Sequence, residues 1–176
     1  MSGALARAAF YPTLLYNVVM EKVTSRRWYD RIDSRVLLGA LPFKRMSERL
    51  VEEEDVKRVI TMNENYETRY LCKSSKGWQK LGVEQLRLST TDLTPPSVQD
   101  LTKGVNFILD APEGSVYVHC KAGRSRSATL VACYLMKVHN WSPEEAVSFI
   151  KDKRPHVMIL PSHYEVLRTF QQTLSD

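Results

Sequence analysis

The chain has 176 residues, of which 43% are hydrophobic, and this length and composition suit one globular domain with a sizeable core. Three cysteines exclude a disulfide-rich framework, and the composition excludes a disordered chain. The formal net charge of +5 favours acidic partners, which leaves an anionic membrane, a nucleic acid and a phosphorylated protein open.

The first 29 residues form a basic segment. It holds four basic residues and one acid, which are Arg7, Lys22, Arg26, Arg27 and Glu21. Its apolar run is too short to span a bilayer. A basic, acid-poor mixture of this kind is typical of a mitochondrial targeting or membrane-surface segment, and an N-terminal arm that packs on the domain is the alternative. We therefore divide the chain into residues 1–29 and a folded domain over residues 30–176.

Four short runs of β-branched or leucine-rich sequence predict strands of a largely parallel sheet. They are residues 35–39, 56–62, 84–88 and 116–119. Helical patterns and helix-start signals predict helices over residues 46–54, 98–110, 126–139, 143–153 and 162–174. Strands that alternate with helices predict a single α/β domain, in which a mostly parallel central sheet of about five strands is flanked by helices.

The segment after the third predicted strand, residues 89–97, is rich in Ser, Thr and Pro and predicts a loop. Asp92 is the only acid in this loop and is the candidate proton donor. Asp100 is the weaker candidate. Ser97 has the pattern of a helix N-cap, and Asp100 then stands at the position where an acid completes a capping box.

The segment from His119 to Ser127 joins the last predicted strand to a helix and has the strongest chemical signal. A short loop containing glycine at a helix N-terminus directs backbone N–H groups and the positive end of the helix dipole at one point, which suits a phosphate. The same field favours a thiolate at Cys120. The planar guanidinium of Arg126 can hold two phosphate oxygens. These features predict that Cys120 is a nucleophile toward a bound phosphate ester.

The combination of residues in this loop is more specific than any one of them. It consists of His119, Cys120, Gly123, Arg126 and Ser127. A metal site is disfavoured because the cysteines and histidines lack ligand spacing, and we predict no cofactor. A nucleotide-binding P-loop is excluded because the chain has no Gly-x4-Gly-Lys-Ser/Thr run. Taken singly, Cys120 also fits a buried inert thiol, Arg126 a solvated charge and His119 a core histidine.

The loop with its trailing Ser and the single upstream Asp resembles the cysteine-based dual-specificity phosphatases, whose motif is His-Cys-x5-Arg-Ser/Thr. Four stretches are similar to mitochondrial members of that family that act on the lipid phosphatidylglycerophosphate. They are residues 61–69, 82–88, 120–127 and 141–147. The resemblance implies a dual-specificity phosphatase-like catalytic domain, which removes phosphate from this lipid to give phosphatidylglycerol for cardiolipin synthesis.

The resemblance also implies the roles of individual residues. Cys120 would form a phosphocysteine, Arg126 would bind the phosphate and Ser127 would hydrogen-bond the Cys120 sulfur. Asp92 would protonate the leaving oxygen and later activate water. The backbone N–H groups of the substrate-binding loop would line the phosphate cradle, and its residues are Lys121, Ala122, Gly123, Arg124, Ser125 and Arg126.

Three further residues have supporting roles by the same resemblance, namely His119, Glu64 and Glu67. The two glutamates would orient Arg126, although Asn65 stands where the family usually has a second adjacent glutamate. The side chains of Lys121 and Arg124 have two open interpretations, contact with a second acidic group of the substrate or solvated charge.

Partners and location are predicted from the resemblance together with the basic segment. We expect an anionic phospholipid substrate, peripheral attachment to the matrix side of the mitochondrial inner membrane, no nucleic-acid partner and a monomer. The alternative enzyme is a dual-specificity protein phosphatase acting on phosphotyrosine and phosphoserine or phosphothreonine, which needs the same loop. A catalytically dead phosphate-binding module is disfavoured because Cys120, Arg126 and Asp92 are all present.

Overall fold

A central five-stranded sheet organises the protein, whose computed structural model describes residues 3–174. The strands are β1 (Tyr29–Arg31), β2 (Val36–Gly39), β3 (Val56–Thr61), β4 (Glu84–Arg87) and β5 (Ser115–His119). Their order across the sheet is β1-β2-β5-β3-β4, in which β1 is antiparallel to β2 and the other neighbours are parallel. The carboxyl ends of β2, β5 and β3 therefore share one edge of the sheet, where open α/β folds bind their ligands.

Eight helices connect and cover the strands in residues 3–174. They are α1 (Gly3–Val23), α2 (Lys44–Glu54), α3 (Asn65–Thr68), α4 (Ser75–Gln79), α5 (Val98–Leu109), α6 (Arg126–His139), α7 (Pro143–Lys153) and α8 (Pro161–Gln172). The predicted start of α7 is confirmed by a capping box, in which the Ser142 hydroxyl accepts from the Glu145 N–H at 3.3 Å.

Side chains alternate between the two faces of the sheet and build two cores. Leu38 and Val118 lie on one face, in the main core formed with α5, α6, α7 and α8. Their neighbours Leu37 and Tyr117 lie on the other face, in a smaller core formed with α2 and α4. Helices on both faces of a mostly parallel sheet confirm the predicted fold class.

The first helix packs on the domain. Phe10 and Leu14 of α1 are buried against Trp28, Ala40 and Leu41 in a third hydrophobic cluster. Within residues 3–174, no helix has the length and apolar character needed to cross a membrane. Residues 1 and 2 of the predicted basic segment lie outside the described residues, and the division of the chain at residue 29 stays a prediction.

The predicted elements match the observed ones to within two residues at each end. The unpredicted elements are α1, β1, α3 and α4. Three of them have three to five residues, too few to show a periodic pattern. The fourth, α1, has no continuous helical pattern in the sequence, because Pro12 and Asn17 interrupt its apolar run.

Candidate active site

The loop between β5 and α6 lies at the carboxyl edge of the central strand. Gly123 adopts a φ of 65°, in the left-handed region that favours glycine. A Cβ atom at this position would lie 2.4 Å from the Gly39 carbonyl oxygen. The tight approach of the loop to the end of β2 therefore requires glycine at this position, as the motif predicts.

Hydrogen bonds from outside the loop hold four consecutive carbonyl groups. The acceptor and donor pairs are Lys121 O with Leu41 N at 3.3 Å, Ala122 O with Arg154 Nη2 at 3.0 Å, Gly123 O with Arg154 Nε at 2.9 Å, and Arg124 O with Met158 N at 2.8 Å. In a trans peptide the N–H group points opposite to the carbonyl group. The N–H groups that follow these carbonyls consequently face the inside of the loop and form an anion-binding nest.

Arg154 is a functional residue that the sequence did not reveal. Its side chain is buried, and besides the two loop carbonyls it forms an ion pair of 2.6 Å with Asp30 at the start of the sheet. Arg154 lies 31 residues after Gly123, in a segment without a recognisable motif. Only the folded chain shows that this guanidinium shapes the phosphate loop.

Cys120 lies at the floor of the nest and is 3% exposed. Its Sγ accepts a hydrogen bond from the Ser127 hydroxyl at 3.2 Å. Burial alone would raise the pKa of Cys120, but the charge on Arg126, the Ser127 hydroxyl and the N–H groups of Ser127 and Arg124 outweigh it and lower the pKa. By contrast, burial raises the pKa of Cys72 to about 12. Cys120 is thus prepared to act as a thiolate.

Arg126 is held by a buried ion pair with Glu67, and both side chains are 0% exposed. Its two terminal nitrogens contact the two Glu67 oxygens at 2.8 and 3.0 Å, and Nη1 also donates to the Thr90 carbonyl at 2.7 Å. Burial would lower the pKa of Arg126, but Glu67, Cys120 and Asp92 raise it, so the guanidinium stays charged. Its Nε is buried without a partner among residues 3–174, which leaves a donor for a phosphate oxygen.

The two predicted glutamates have different positions. Glu67 also accepts from the Asn63 side chain at 2.6 Å and from the Glu64 N–H at 3.0 Å, so three groups fix its carboxylate. Glu64 caps the start of α3 and contacts Arg126 nowhere in the described part of the chain. The structure therefore brings only Glu67 to the guanidinium, and Asn65 is exposed.

Asp92 is brought to the nest by the loop after β4. One carboxylate oxygen lies 3.0 Å from Arg126 Nη2, and the other forms an ion pair with Lys121. Burial would raise the pKa of Asp92, but the charge of Arg126 and the contact with Lys121 hold it below the usual value. Asp100 instead caps α5, where its N–H donates to the Ser97 hydroxyl at 3.1 Å.

His119 supports the loop from beneath the sheet edge. Its Nε2 lies 2.9 Å from the Thr61 hydroxyl, which also accepts from the Gln85 amide at 2.8 Å. The Cys120 carbonyl, 3.4 Å from Nδ1, can only accept, so we assign the single proton of the neutral ring to Nδ1, and Nε2 then accepts from the Thr61 hydroxyl. Burial lowers the pKa of His119 to about 3, so the ring is neutral and serves to position the strand end.

A cleft of about 270 Å³ opens above Cys120, and α1 forms one of its walls. The α1 residues that line it are Ala9, Thr13, Tyr16 and Asn17. The Lys121 side chain, which donates to the Thr13 hydroxyl at 2.9 Å, ties the helix to the phosphate loop. The N-terminal segment thus contributes to the site, which its composition did not predict.

Comparison with known proteins shows the family to which the chain is similar. The family described as dual specificity phosphatase, catalytic domain, matches residues 41–173. The mouse protein phosphatidylglycerophosphatase and protein-tyrosine phosphatase 1 is 58% identical, over 99% of this chain and 94% of its own length. The phosphatidylglycerophosphate phosphatase PTPMT2 of Arabidopsis thaliana is 44% identical, over 98% of this chain and 76% of its own length.

Solved structures show the same fold. The structure of PTPMT1 in complex with PI(5)P is 58% identical and superposes with a TM-score of 0.82, over 85% of this chain and 97% of that one. The active form of Tk-PTP is 30% identical, with a TM-score of 0.76 over 82% of this chain and 97% of that one. The chain therefore belongs to the dual-specificity phosphatase family, whose members hydrolyse phosphate esters through a cysteine, and it is a phosphatase.

Proposed function

We propose that the protein removes the terminal phosphate of phosphatidylglycerophosphate, giving phosphatidylglycerol and inorganic phosphate through a phosphocysteine. The observation that carries the chemistry is the convergence of Cys120, Arg126 and Asp92 on one nest of backbone N–H groups. The lipid substrate is supported by the 58% identical mouse relative, whose name states this activity and which matches 99% of the chain.

In the first step, the Cys120 thiolate attacks the phosphorus atom and the bond to the leaving glycerol oxygen breaks. The nest and the Arg126 guanidinium bind the equatorial oxygens, where negative charge is held in the transition state. Because Glu67 fixes the guanidinium from behind, no reorientation of Arg126 is needed during the reaction.

Asp92 supplies the proton for the leaving oxygen. In the structure Asp92 is a carboxylate, since Arg126 and Lys121 lower its pKa. A substrate dianion takes the place of Asp92 at Arg126, and its own negative charge raises the pKa of the acid. Substrate binding therefore causes Asp92 to take up a proton, which Asp92 then donates to the leaving alkoxide.

In the second step, water attacks the phosphocysteine. The Asp92 carboxylate accepts a proton from the water, the sulfur–phosphorus bond breaks, and Cys120 leaves as a thiolate. The Ser127 hydroxyl, 3.2 Å from the sulfur, stabilises this leaving thiolate. Inorganic phosphate then dissociates, and Asp92 releases the proton that it took from water and returns to the carboxylate of the free protein, until the next substrate binds.

Asp92→Asn is expected to lower kcat for an alkyl phosphate by roughly 10²–10⁴-fold, because the amide has no proton to give to a poor leaving group. The loss should be much smaller for para-nitrophenyl phosphate, whose phenolate leaves without assistance. Steady-state kinetics on both substrates measure the difference. Asp100→Asn is the matched control and should retain turnover, and a larger loss in this control than in Asp92→Asn would contradict the assignment.

The substrate itself is tested by comparing kcat/KM for phosphatidylglycerophosphate and for a phosphotyrosine peptide. We expect the higher value for the lipid. A higher value for the peptide would favour the dual-specificity protein phosphatase, since the nest and Arg126 serve either ester equally. The mouse relative's name includes both activities, so both substrates belong in the assay.

We also propose that α1 rests on an anionic membrane surface. Within residues 7–23, five large apolar side chains of α1 are exposed, which are Tyr11, Leu15, Tyr16, Val19 and Val23. Four of them recur every four residues and lie along one side of the helix, opposite the buried Phe10. Tyr16 is exposed beside this face and also lines the active-site cleft, so a lipid headgroup at the surface would lie near the opening to Cys120.

Leu15→Glu is expected to reduce binding to vesicles that contain an anionic lipid, because a carboxylate replaces an exposed apolar side chain at the interface. Cosedimentation with such vesicles measures the bound fraction. Val138→Glu makes the same kind of change on α6, away from α1, and should bind as the wild type does. Equal binding of Leu15→Glu and the wild type would contradict the proposed orientation.

The cellular setting is part of the same proposal. We place the protein at the matrix face of the mitochondrial inner membrane, as a peripheral monomer without a nucleic-acid partner. The basic, acid-poor composition of residues 1–29 supports this location, since segments of this kind direct proteins to mitochondria or to anionic surfaces.

A further inference from the structure

A second, basic pocket adjoins the active-site cleft. It is lined by Asn17 and Arg26 from the N-terminal segment, by Ala122 and Arg124 from the phosphate loop, and by His156. Asn17, Ala122 and Arg124 line both cavities, so the two are contiguous. The basic pocket has a volume of about 20 Å³, room for about one water molecule, so a ligand bound at Cys120 would meet the arginines at its rim, where Arg124 lines both cavities.

Positive charge in this pocket exceeds negative charge, because four arginines line it and Glu21 is its one lining carboxylate among residues 3–174. Two of the arginines that line it, Arg27 and Arg154, share Asp30 as their ion-pair partner. Arg26 and Arg124 form no ion pair with a carboxylate anywhere in residues 3–174. Positive charges in excess of the nearby carboxylates repel one another, and an anionic ligand relieves that repulsion.

The pKa values of Arg124 and His156 are lowered, as expected where positive charges lie close together. Burial is the main cause that lowers the pKa of Arg124, and the nearby charge of Arg26 lowers it further. The pKa of His156 is lowered to about 3, mainly by burial and further by the charges of Arg154, Arg26 and Arg124. Its ring is therefore neutral. Arg124 is also held in place, because its Nε donates to the His156 carbonyl at 2.9 Å. Its terminal nitrogens have no partner in the described chain and are directed to no carboxylate.

We propose that Arg26 and Arg124 form a second anion site, which binds the phosphodiester of the lipid substrate while the terminal phosphate occupies the nest at Cys120. This inference rests on the proposed function. In phosphatidylglycerophosphate the two phosphates are separated by a three-carbon glycerol unit, so an anion necessarily lies beside the scissile group. A phosphotyrosine side chain has no anion built into that position, so the site selects for the lipid.

The site also gives the N-terminal segment a role in recognition. Arg26 follows α1 in the chain, and Asn17 lies within α1. The substrate is therefore bound between the phosphate loop and the N-terminal segment. This contact acts equally on the bound substrate and on the transition state, and its loss appears mainly in KM.

The test compares kcat/KM for a short-chain phosphatidylglycerophosphate, below its micelle concentration, with kcat/KM for para-nitrophenyl phosphate. Arg26→Gln is expected to lower the ratio of the two values roughly tenfold, the effect of losing one charge-assisted contact. Lys22→Gln is the matched control. It removes the same charge from an exposed residue of α1 that lines neither pocket, and its ratio should equal that of the wild type.

Arg26→Lys keeps the charge and is expected to recover most of the ratio. An equal ratio in Arg26→Gln and Lys22→Gln would overturn the second anion site and leave the wild-type preference for the lipid intact. An equal loss in Arg26→Lys and Arg26→Gln would overturn recognition by charge. A wild-type protein without preference for the lipid would instead overturn the proposed function.

Discussion

Cys120→Ser is expected to lower turnover by at least about 10⁴-fold while binding of inorganic phosphate is retained. The serine hydroxyl does not ionise near neutral pH, so the position keeps its size and loses its nucleophile. The nest of N–H groups and the Arg126 guanidinium are unchanged by the substitution, and these groups hold the phosphate. Removal of the thiolate also removes a negative charge beside the bound dianion, so phosphate should bind at least as tightly as in the wild type.

Kinetics on phosphatidylglycerophosphate and calorimetric titration with inorganic phosphate separate these two effects. Cys72→Ser is the matched control, because Cys72 is equally buried but burial raises its pKa to about 12 and it lies outside the nest. We expect turnover to persist in this control. Residual turnover of Cys120→Ser close to that of Cys72→Ser would rule out a phosphocysteine.

Glu67→Gln is expected to lower the free energy of unfolding by roughly 3 kcal/mol and to reduce kcat/KM at the same time. Glu67 and Arg126 are both fully buried, and the neutral amide leaves the guanidinium without its full counter-charge. The amide also presents N–H groups to one of the two guanidinium nitrogens, which replaces a hydrogen bond by a repulsive contact. The guanidinium would then lose the orientation in which its Nε is free for phosphate.

Denaturant unfolding and steady-state kinetics measure the two effects of Glu67→Gln. Glu64→Gln offers a close comparison, since Glu64 lies three residues before Glu67, at the N-cap of the same short helix, and makes no contact with Arg126 in the described residues. We expect it to resemble the wild type in both measurements. Similar losses in the two variants would show that both glutamates are needed, as the family resemblance implies.

Helices and strands could be predicted where their signal lies in one contiguous stretch of the sequence. The β-branched run before Cys120 and the capping box at Ser142 are contiguous signals, and both elements are found within a residue of their predicted bounds. The helix α1 was not predictable in the same way. Within residues 7–23 only two of its apolar side chains, Phe10 and Leu14, are buried, and the cluster that receives them is formed by the ends of β1 and β2. Packing overrides the interruption at Pro12.

Glu64 and Glu67 show that local sequence also cannot predict which side chain enters the site. By sequence, Glu64 and Glu67 are equivalent acids on one loop, and the resemblance assigns them a common task. In the structure the direction of each side chain on α3 decides the outcome, since Glu67 turns inward to Arg126 and Glu64 caps the helix. A spacing of three residues on a helix does not reveal which side faces the core until the core is known.

By itself, the sequence determined the reactive loop of this phosphatase. The proposed nucleophile, the proposed phosphate-binding arginine and the hydroxyl beside the sulfur lie within eight consecutive residues, and a strand, a short loop and a helix N-terminus suffice to bring them together. The tertiary structure alone decided what holds and surrounds that loop. Glu67 reaches Arg126 across 59 residues, Arg154 reaches the loop carbonyls across 31, and Thr13 of α1 reaches Lys121 across 108. Such contacts depend on the packing of distant segments, for which the local sequence has no signal.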